Sequence, residues 1–423
     1  MLVVGSGGRE HVLAWKLARD AASYNLHAAP GNPGIASIGQ CHPVRVTDLA
    51  RLAGLAEQLS TDLTVVGPEA PLADGIVDLF RSRGLRIFGP SRQAARLESS
   101  KVFAKTLLRR HGIPTPGFEV FTDPVEALTY VRRHGRPVVV KADGLAGGKG
   151  VVVTSDPAEA ERAVLDMMVR KIHGTAGDRI LIEERLEGPE VSVLAFVSGR
   201  AVYPLVPAQD YKRARDGNAG PNTGGMGAIA PARVSLVDLA RIVDEVLEPV
   251  AAAMADEGHP YTGVLYAGLM ITADGPQVLE FNCRFGDPEA QVILPLLQGD
   301  LAEAMIAVIE GRDPQIRWSD DAAVCVVAAS GGYPRKYTTG LPIAGMESVP
   351  SGAVVFHAGT AMREGRLVTA GGRVLNVVAT GGTLEEARGR AYAGMSAIRF
   401  EGMQYRSDIG AAVPAPREGA KVS

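Results

Sequence analysis

A chain of 423 residues is too long for one compact core, and 46% hydrophobic with 22% charged residues is an ordinary globular composition, so two to four domains are expected. A net charge of −3 gives no electrostatic case for a nucleic acid or an anionic membrane, and no apolar run is long enough to span a bilayer. Cys41, Cys283 and Cys325 match no zinc spacing, and the opening MLVVG has no cationic, apolar leader; free thiols in a reducing, cytoplasmic compartment are expected.

Residues 1–90 alternate strand and helix: strands at Leu2–Gly5, Leu63–Gly67 and Leu85–Phe88, and helices at Arg9–Arg19, Asp48–Leu59 and Asp74–Arg83. Repeated βα units build a parallel sheet with helices on both faces, and ligands bind beyond the carboxyl ends of its strands. Two loops fall there, GSGGREH from Gly5 and GPEA from Gly67. A dinucleotide fingerprint needs a third glycine where Glu10 stands, so Gly7 and Gly8 are read as backbone donors to a single phosphate at a helix N-terminus. A helix then runs from a Ser99 or Ser100 cap to Arg110. Lys101 and Lys105 lie one turn apart on one face, which fits either a solvated surface or a site.

Residues 117–190 read as an inserted subdomain of βαββαβ order, an antiparallel sheet with helices on one face. Asp123-Pro-Val-Glu126 and Asp156-Pro-Ala-Glu159 open its helices as capping boxes. Between the valine runs 138–140 and 151–153 lies a loop with Gly144, Gly147, Gly148 and Gly150, and with Lys141 and Lys149. Glycines let backbone N–H groups crowd an anion, so the loop is read as a flap over a polyphosphate such as ATP; the alternative is a plain hairpin with solvent lysines. Asp143 and Gly150 stand where a Walker A loop needs Gly and Ser or Thr, which excludes that motif.

A hinge, Glu183–Glu190, leads to a hairpin at 191–205 and then to Gln209–Gly227, read as a long unstructured loop of functional type carrying Asp210, Lys212, Arg213 and Arg215. A helix at Ser235–Asp256 precedes a second hairpin, Gly263–Thr272 with Gln277–Asn282. Alternation there places Leu279 and Phe281 on one face and Glu280 and Asn282 on the other. Two oxygen donors on a rigid strand suit a hard divalent cation; a half-exposed strand is the alternative, but Asn is uncommon in strands, and Arg284 and Asp287 follow closely. The last hundred residues repeat strands, end in a helix from Thr383 and carry no evident chemistry; residues beyond Asp408 read as a loose tail.

Taken together, VGSGGREH, VGPEAPL, KADGLAGGKG, GPNTGGMGA and GLMI…VLEFNCRFGDPE, spread over residues 4–289, resemble the phosphoribosylamine–glycine ligases of the ATP-grasp superfamily, with weaker likeness at SGGYP and VFHAGT. The lead-in strand before Val3 is shorter than the family's, so an earlier start is expected. The resemblance implies an α/β and α+β multidomain protein: a parallel α/β domain over 1–98, an ATP-grasp domain over 99–321 with its lid at about 117–190, and a small C-terminal α/β domain over 322–423. It implies the second step of de novo purine biosynthesis, ligation of glycine to 5-phosphoribosylamine with ATP through glycyl phosphate. Another ATP-grasp carboxylate–amine ligase of that pathway is the alternative.

By the same resemblance, ATP would be held by Lys101, Lys141, Gly144, Gly147, Gly148, Lys149, Gly150, Glu183, Glu184, Leu186 and Glu190, and Mg2+ or Mn2+ by Glu280 and Asn282. Lys141, Arg284 and Asp287 would serve the chemistry, Arg284 at the glycine carboxylate or transferring phosphoryl group and Asp287 at the glycine ammonium. The phosphoribosylamine would meet Gly7, Gly8, Glu69, Asp210, Lys212, Asn222, Thr223, Gly224, Gly225 and Met226. Only small-molecule substrates are expected, with the chain a monomer or a homodimer.

Overall fold

The computed structural model describes residues 1–20, 24–145 and 150–411. Five parallel strands open the chain, in the order Gln40–Cys41, His27–Pro30, Leu2–Gly5, Thr64–Val66, Ile87–Phe88. Leu2–Gly5 is central because a continuous apolar run suits a strand covered on both faces, and Val3 sits opposite Ala28 on one side and Val65 on the other. The strands at His27 and Gln40 escape a sequence reading, being short and poor in β-branched residues. The helix expected over Asp74–Arg83 begins at Ile76: Gly75, at φ 91°, turns the chain between Glu69–Ala73 and Ile76–Ser82.

The inserted subdomain has the expected βαββαβ order, its strands arranged Phe118–Phe121, Ile180–Glu184, Val138–Ala142, Val151–Val153 and all antiparallel. Helices Pro124–His134 and Pro157–Val164 share one apolar cluster, in which Ala127, Val131, Ala160 and Val164 pack with Val138, Val140, Ile180 and Ile182. Asp123 and Asp156 cap them, and Glu159 reaches back to the Ser155 N–H at 2.8 Å, one residue short of a regular capping box.

A second antiparallel sheet runs Ala201–Pro204, Glu190–Gly199, Tyr261–Thr272, Gly275–Asn282. Its last strand departs from simple alternation. Glu280 pairs with Gly268 but Val278 with Leu269, so Leu279 is an extra, bulged residue, and the core takes Val278 and Phe281 instead of Leu279 and Phe281.

The segment 209–227 is not an open loop. Gln209–Asp210 pairs with Gly227–Ala230, and Arg213–Arg215 with Ala219–Asn222. Gly227–Ala230 in turn pairs with Ala322–Ala329, giving a five-stranded sheet ordered Gln209–Asp210, Gly227–Ala230, Ala322–Ala329, Arg373–Gly381, Val354–His357. The middle of the chain thus forms two strands of the C-terminal sheet. The described residues after Asp408 are not loose either. Ile409 is buried, its N–H bonds Tyr392, and the Gly410 N–H bonds Tyr211. Arg406, only 1% exposed, pairs with Asp408 and donates to Arg213 O and Asn218 Oδ1, fastening the end of the chain to the 209–222 segment.

The C-terminal sheet also meets the first helix, Gly8–Arg19: the His357 N–H donates to His11 Nδ1 at 2.7 Å. Burial, with His357 adding to it, pushes the His11 imidazole down to about 3. In the unfolded chain that ring takes a proton below about pH 6.5, so the unfolded state gains protons first on acidification. Stability should therefore fall as pH drops from about 6.5 towards 3, by at most about 1.4 kcal/mol per pH unit for this imidazole. His11→Gln should flatten that limb in denaturation measured across the range; an unchanged slope would refute the assignment.

Candidate active site

Strand ends and one helix converge on a buried knot of charge. Lys105, from helix Lys101–Arg110, and Lys141, from strand Val138–Ala142, both reach Glu183 Oε2, at 3.2 and 2.8 Å. Lys105 also donates to Thr115 Oγ1 (2.7 Å) and Val278 O (2.9 Å), and Lys141 to Leu279 O (2.9 Å). Successive carbonyls of a regular strand point opposite ways; the bulge at Leu279 is what lets two lysines use neighbouring ones. Lys105 is 2% exposed, so the solvated-face reading of this lysine is wrong. Glu183 Oε1 is buried with no protein partner among the described residues.

Lys101 donates to Gly144 O at 3.3 Å, at the root of the glycine loop. Asp143 accepts from Ser100 Oγ and the Val102 N–H, both at 3.0 Å, and pairs with Arg179, so the loop root is tied to the helix end that carries Lys101. Gly147, Gly148 and Lys149 lie outside the described residues. At the end of strand Ile180–Glu184 and beyond it, Glu184 is exposed and Leu186 half-buried, while Glu190 accepts from Lys212 Nζ at 2.9 Å.

Glu280 and Asn282 both point from the last strand into this region. Burial raises the pKa of Glu280, but Lys212, Lys141, Lys101 and Arg284 outweigh burial and hold it below the usual range. Lys212 Nζ stands 3.9 Å from Glu280; burial works against its charge, and Asp210, Glu190 and Glu280 raise its pKa well above the ordinary value. Asp210 is pushed up to about 7 by burial, against the pull of Lys212.

Arg284 donates to Glu98 Oε1 (2.7 Å), Phe285 O (3.2 Å) and Asn282 Oδ1 (3.2 Å). Its Nε is buried without a hydrogen-bond partner, 3.5 Å from Glu69 Oε2. Glu98 also accepts from the Cys283 N–H and thiol, which locks the turn after Asn282. Asp287 Oδ1 accepts from Gln291 (2.7 Å), and Oδ2 pairs with Arg373 (3.1 Å). Burial alone would raise the Asp287 pKa; Arg373, Arg9 and the Gln291 bond bring it below normal. Arg373 also donates to Asp287 O (2.7 Å) and Gly224 O (2.5 Å), and the Tyr333 hydroxyl oxygen accepts from the Gly224 N–H at 3.0 Å. The C-terminal residues, read as without chemistry, therefore reach the site. Nothing local to Arg373 signals this; only the pairing of its strand into the shared sheet does.

At the other wall, Glu10 folds back into its own loop. Its Oε2 accepts the Gly7 N–H at 2.5 Å, and Gly67 leaves room for its carboxylate, since a Cβ there would lie 2.0 Å from Oε1. The Gly7 N–H is thus engaged internally as part of a capping box, contrary to the expected free donor. Gly8 faces Asn376 and Gln291, and a Cβ on it would lie 2.3 Å from Asn376 Nδ2. Of the 222–226 segment, Asn222 is half-buried, the Thr223 hydroxyl bridges Lys212 O and the Gly225 N–H, and Met226 is buried with both backbone groups bonded, so the Met226 side chain is core.

A glycine-loop subdomain hinged beside a lysine–glutamate knot and a Glu-x-Asn strand defines an ATP-grasp enzyme. The chain belongs to the phosphoribosylglycinamide synthetase family: it matches the family's N domain over residues 1–98, its ATP-grasp (A) domain over 99–290 and its C domain over 323–412. It is 48% identical to the phosphoribosylamine–glycine ligase of Halalkalibacterium halodurans, over 99% of this chain and 98% of that one. It is 52% identical to the trifunctional purine biosynthetic protein adenosine-3 of Gallus gallus, over 97% of this chain and 42% of that protein. The crystal structure of the Thermotoga maritima phosphoribosylamine–glycine ligase superposes with a TM-score of 0.84 at 35% identity, over 96% of this chain and 99% of that one. A biotin carboxylase from Campylobacter jejuni, at 15% identity and a TM-score of 0.72 over 96% of this chain and 92% of that one, shares the fold. The chain is an ATP-dependent ligase of this family.

Removing Arg373 would leave Asp287 buried with Gln291 alone. Arg373→Met should lower kcat/KM by about 100- to 1,000-fold, the cost of breaking a buried charge pair, with the Kd for ADP within about twofold of wild type. Steady-state kinetics alongside ADP titration checks this; near-wild-type kcat/KM would remove the C-terminal residues from the site.

Proposed function

We propose that this chain joins glycine to 5-phosphoribosylamine with ATP, through glycyl phosphate, giving glycinamide ribonucleotide, ADP and phosphate, the second step of de novo purine biosynthesis. The observation that carries the reading is the gathering of Lys101, Lys141, Lys212 and Arg284 about the Glu280 carboxylate, a cationic site with an ionised oxygen donor at its centre. ATP lies between the inserted subdomain and the Glu280 strand. Lys101 and Lys141 balance its phosphate charge, and Glu183 and Leu186 border the adenine.

Glu280 and Asn282 suit a divalent cation, Mg2+ or Mn2+. Among the described residues no cluster of three or more His, Cys, Asp or Glu forms a closed cage, whereas two protein oxygens completed by water and phosphate oxygens is a common arrangement for Mg2+. When bound, the cation neutralises charge on the transferring phosphoryl group. The protein's own part is placement. Arg284, whose Nε has no hydrogen-bond partner among the described residues, orients the glycine carboxylate, and Asp287 holds the ammonium. The carboxylate oxygen attacks the γ-phosphorus and ADP departs. The ribosylamine nitrogen then attacks the acyl carbon, phosphate leaves, and the nitrogen loses one proton. Lys212, Asn222, Glu69 and Gly8 hold the phosphoribosylamine. No side-chain nucleophile is required, and exclusion of water protects the acyl phosphate.

Omitting glycine or 5-phosphoribosylamine in turn tests the reading: ADP release should require both. Glu280→Gln should cut turnover by at least about 1,000-fold, the scale of losing a principal electrostatic group, with the circular dichroism spectrum unchanged. Wild-type-like turnover in that variant would sink the metal assignment, and glycine-independent ADP release would sink the substrate assignment.

A further inference from the structure

We infer that Lys105 is a positioning residue that sets the site's affinity for the polyphosphate part of its nucleotide, without touching the nucleotide, by sharing Glu183 with Lys141. This rests on the reading that ATP binds beside Lys141.

The first support is the count of donors. An ammonium has three N–H bonds. Those of Lys105 are matched by Thr115 Oγ1 at 2.7 Å, Val278 O at 2.9 Å and Glu183 Oε2 at 3.2 Å, and the side chain is 3% exposed. It has no donor left for a ligand and no route to one. Lys141 differs: among the described residues its partners are Leu279 O and Glu183 Oε2, which leaves one N–H bond for an incoming group.

The second support is charge balance. One carboxylate faces two ammonium groups, and both use the same oxygen, Oε2, while Oε1 stays unpaired. Had Lys141 alone faced Glu183, the pair would be neutral and would offer little to a phosphate. With Lys105 engaged as well, a surplus positive charge remains beside Lys141, where burial keeps the effective dielectric low and its reach long. Glu280 also acts on the Lys105 charge, and Lys141 and Glu280 both act on Lys101. Burial first, and Lys141 next, push the Lys105 ammonium down to about 7, so the surplus is partial near neutrality; two cations crowded on one carboxylate repel, and a polyphosphate arriving beside Lys141 relieves that repulsion and favours the protonated form that completes the surplus.

Lys105→Met separates this from a structural role, because it leaves Lys141 and Glu183 as a balanced pair and no uncompensated buried charge. The Kd values of ATP, ADP and adenosine should be measured for wild type and variant by titration calorimetry. We expect ATP and ADP to weaken about tenfold, the scale of one unit charge acting across a partly screened interior, with adenosine within about twofold. Thr115→Val removes one acceptor but no charge, and should leave the ratio of ADP to adenosine affinity unchanged. If Lys105→Met fails to fold, Lys105→Gln must show the same split. Equal weakening of all three ligands, or unaltered ADP affinity, overturns the inference. Failure of the wild-type chain to bind ADP would instead overturn the ATP reading on which it rests.

Discussion

The shared oxygen of Glu183 is the contact on which the rest of the site depends. It joins a helix, the glycine-loop strand and the hinge strand, and through Lys105 and Lys141 it fixes all three to the bulged strand that ends in Glu280 and Asn282. Burying three charges is unfavourable unless every group is paired and bonded. Here the two ammonium groups are satisfied in part by carbonyls that the bulge turns to the same side, while Glu183 Oε1 has no protein partner among the described residues. An irregularity in one strand therefore decides where the Lys105–Glu183–Lys141 cluster stands relative to the Glu280 carboxylate.

The opposite half of the site obeys the same electrostatic rule with different parts. Glu98 and Glu69 face Arg284, and Arg373 and Gln291 face Asp287, so each of these two charged groups is held by at least one partner from a distant segment. Glu69 and Glu98 come from the first hundred residues and Arg373 from the last hundred. The C-terminal sheet thereby contacts Asp287, and the pairing of strand Gly227–Ala230 with Ala322–Ala329 is the joint that ties this sheet to the middle of the chain. The buried Arg406 closes the arrangement by holding the end of the chain on the 209–222 segment.

Glu10 shows how a motif can be half legible. The absent third glycine excludes a dinucleotide fingerprint, and the structure shows what the carboxylate does instead: it caps its own helix and takes up the Gly7 amide. Lys105 shows the converse. One turn from Lys101 on a helix, it looks like either a surface or a site residue, and only the three acceptors brought from distant segments distinguish the two. Segment 209–227 misled for a related reason: its strands are two to four residues long and poor in β-branched and aromatic residues, and their pairing partners lie close by in sequence or about a hundred residues away.

By itself the sequence determined the parallel βα start and the βαββαβ subdomain, because hydrophobic period, capping residues and glycine spacing act over a few residues and are written locally, and its ordered motifs carried the family. Tertiary structure alone decided the bulge at Leu279, the burial of Lys105, the engagement of the Gly7 amide and the reach of Arg373 to Asp287. Each of these depends on which oxygen a charged group finds when segments far apart in the chain pack together, and neither period nor spacing carries that information.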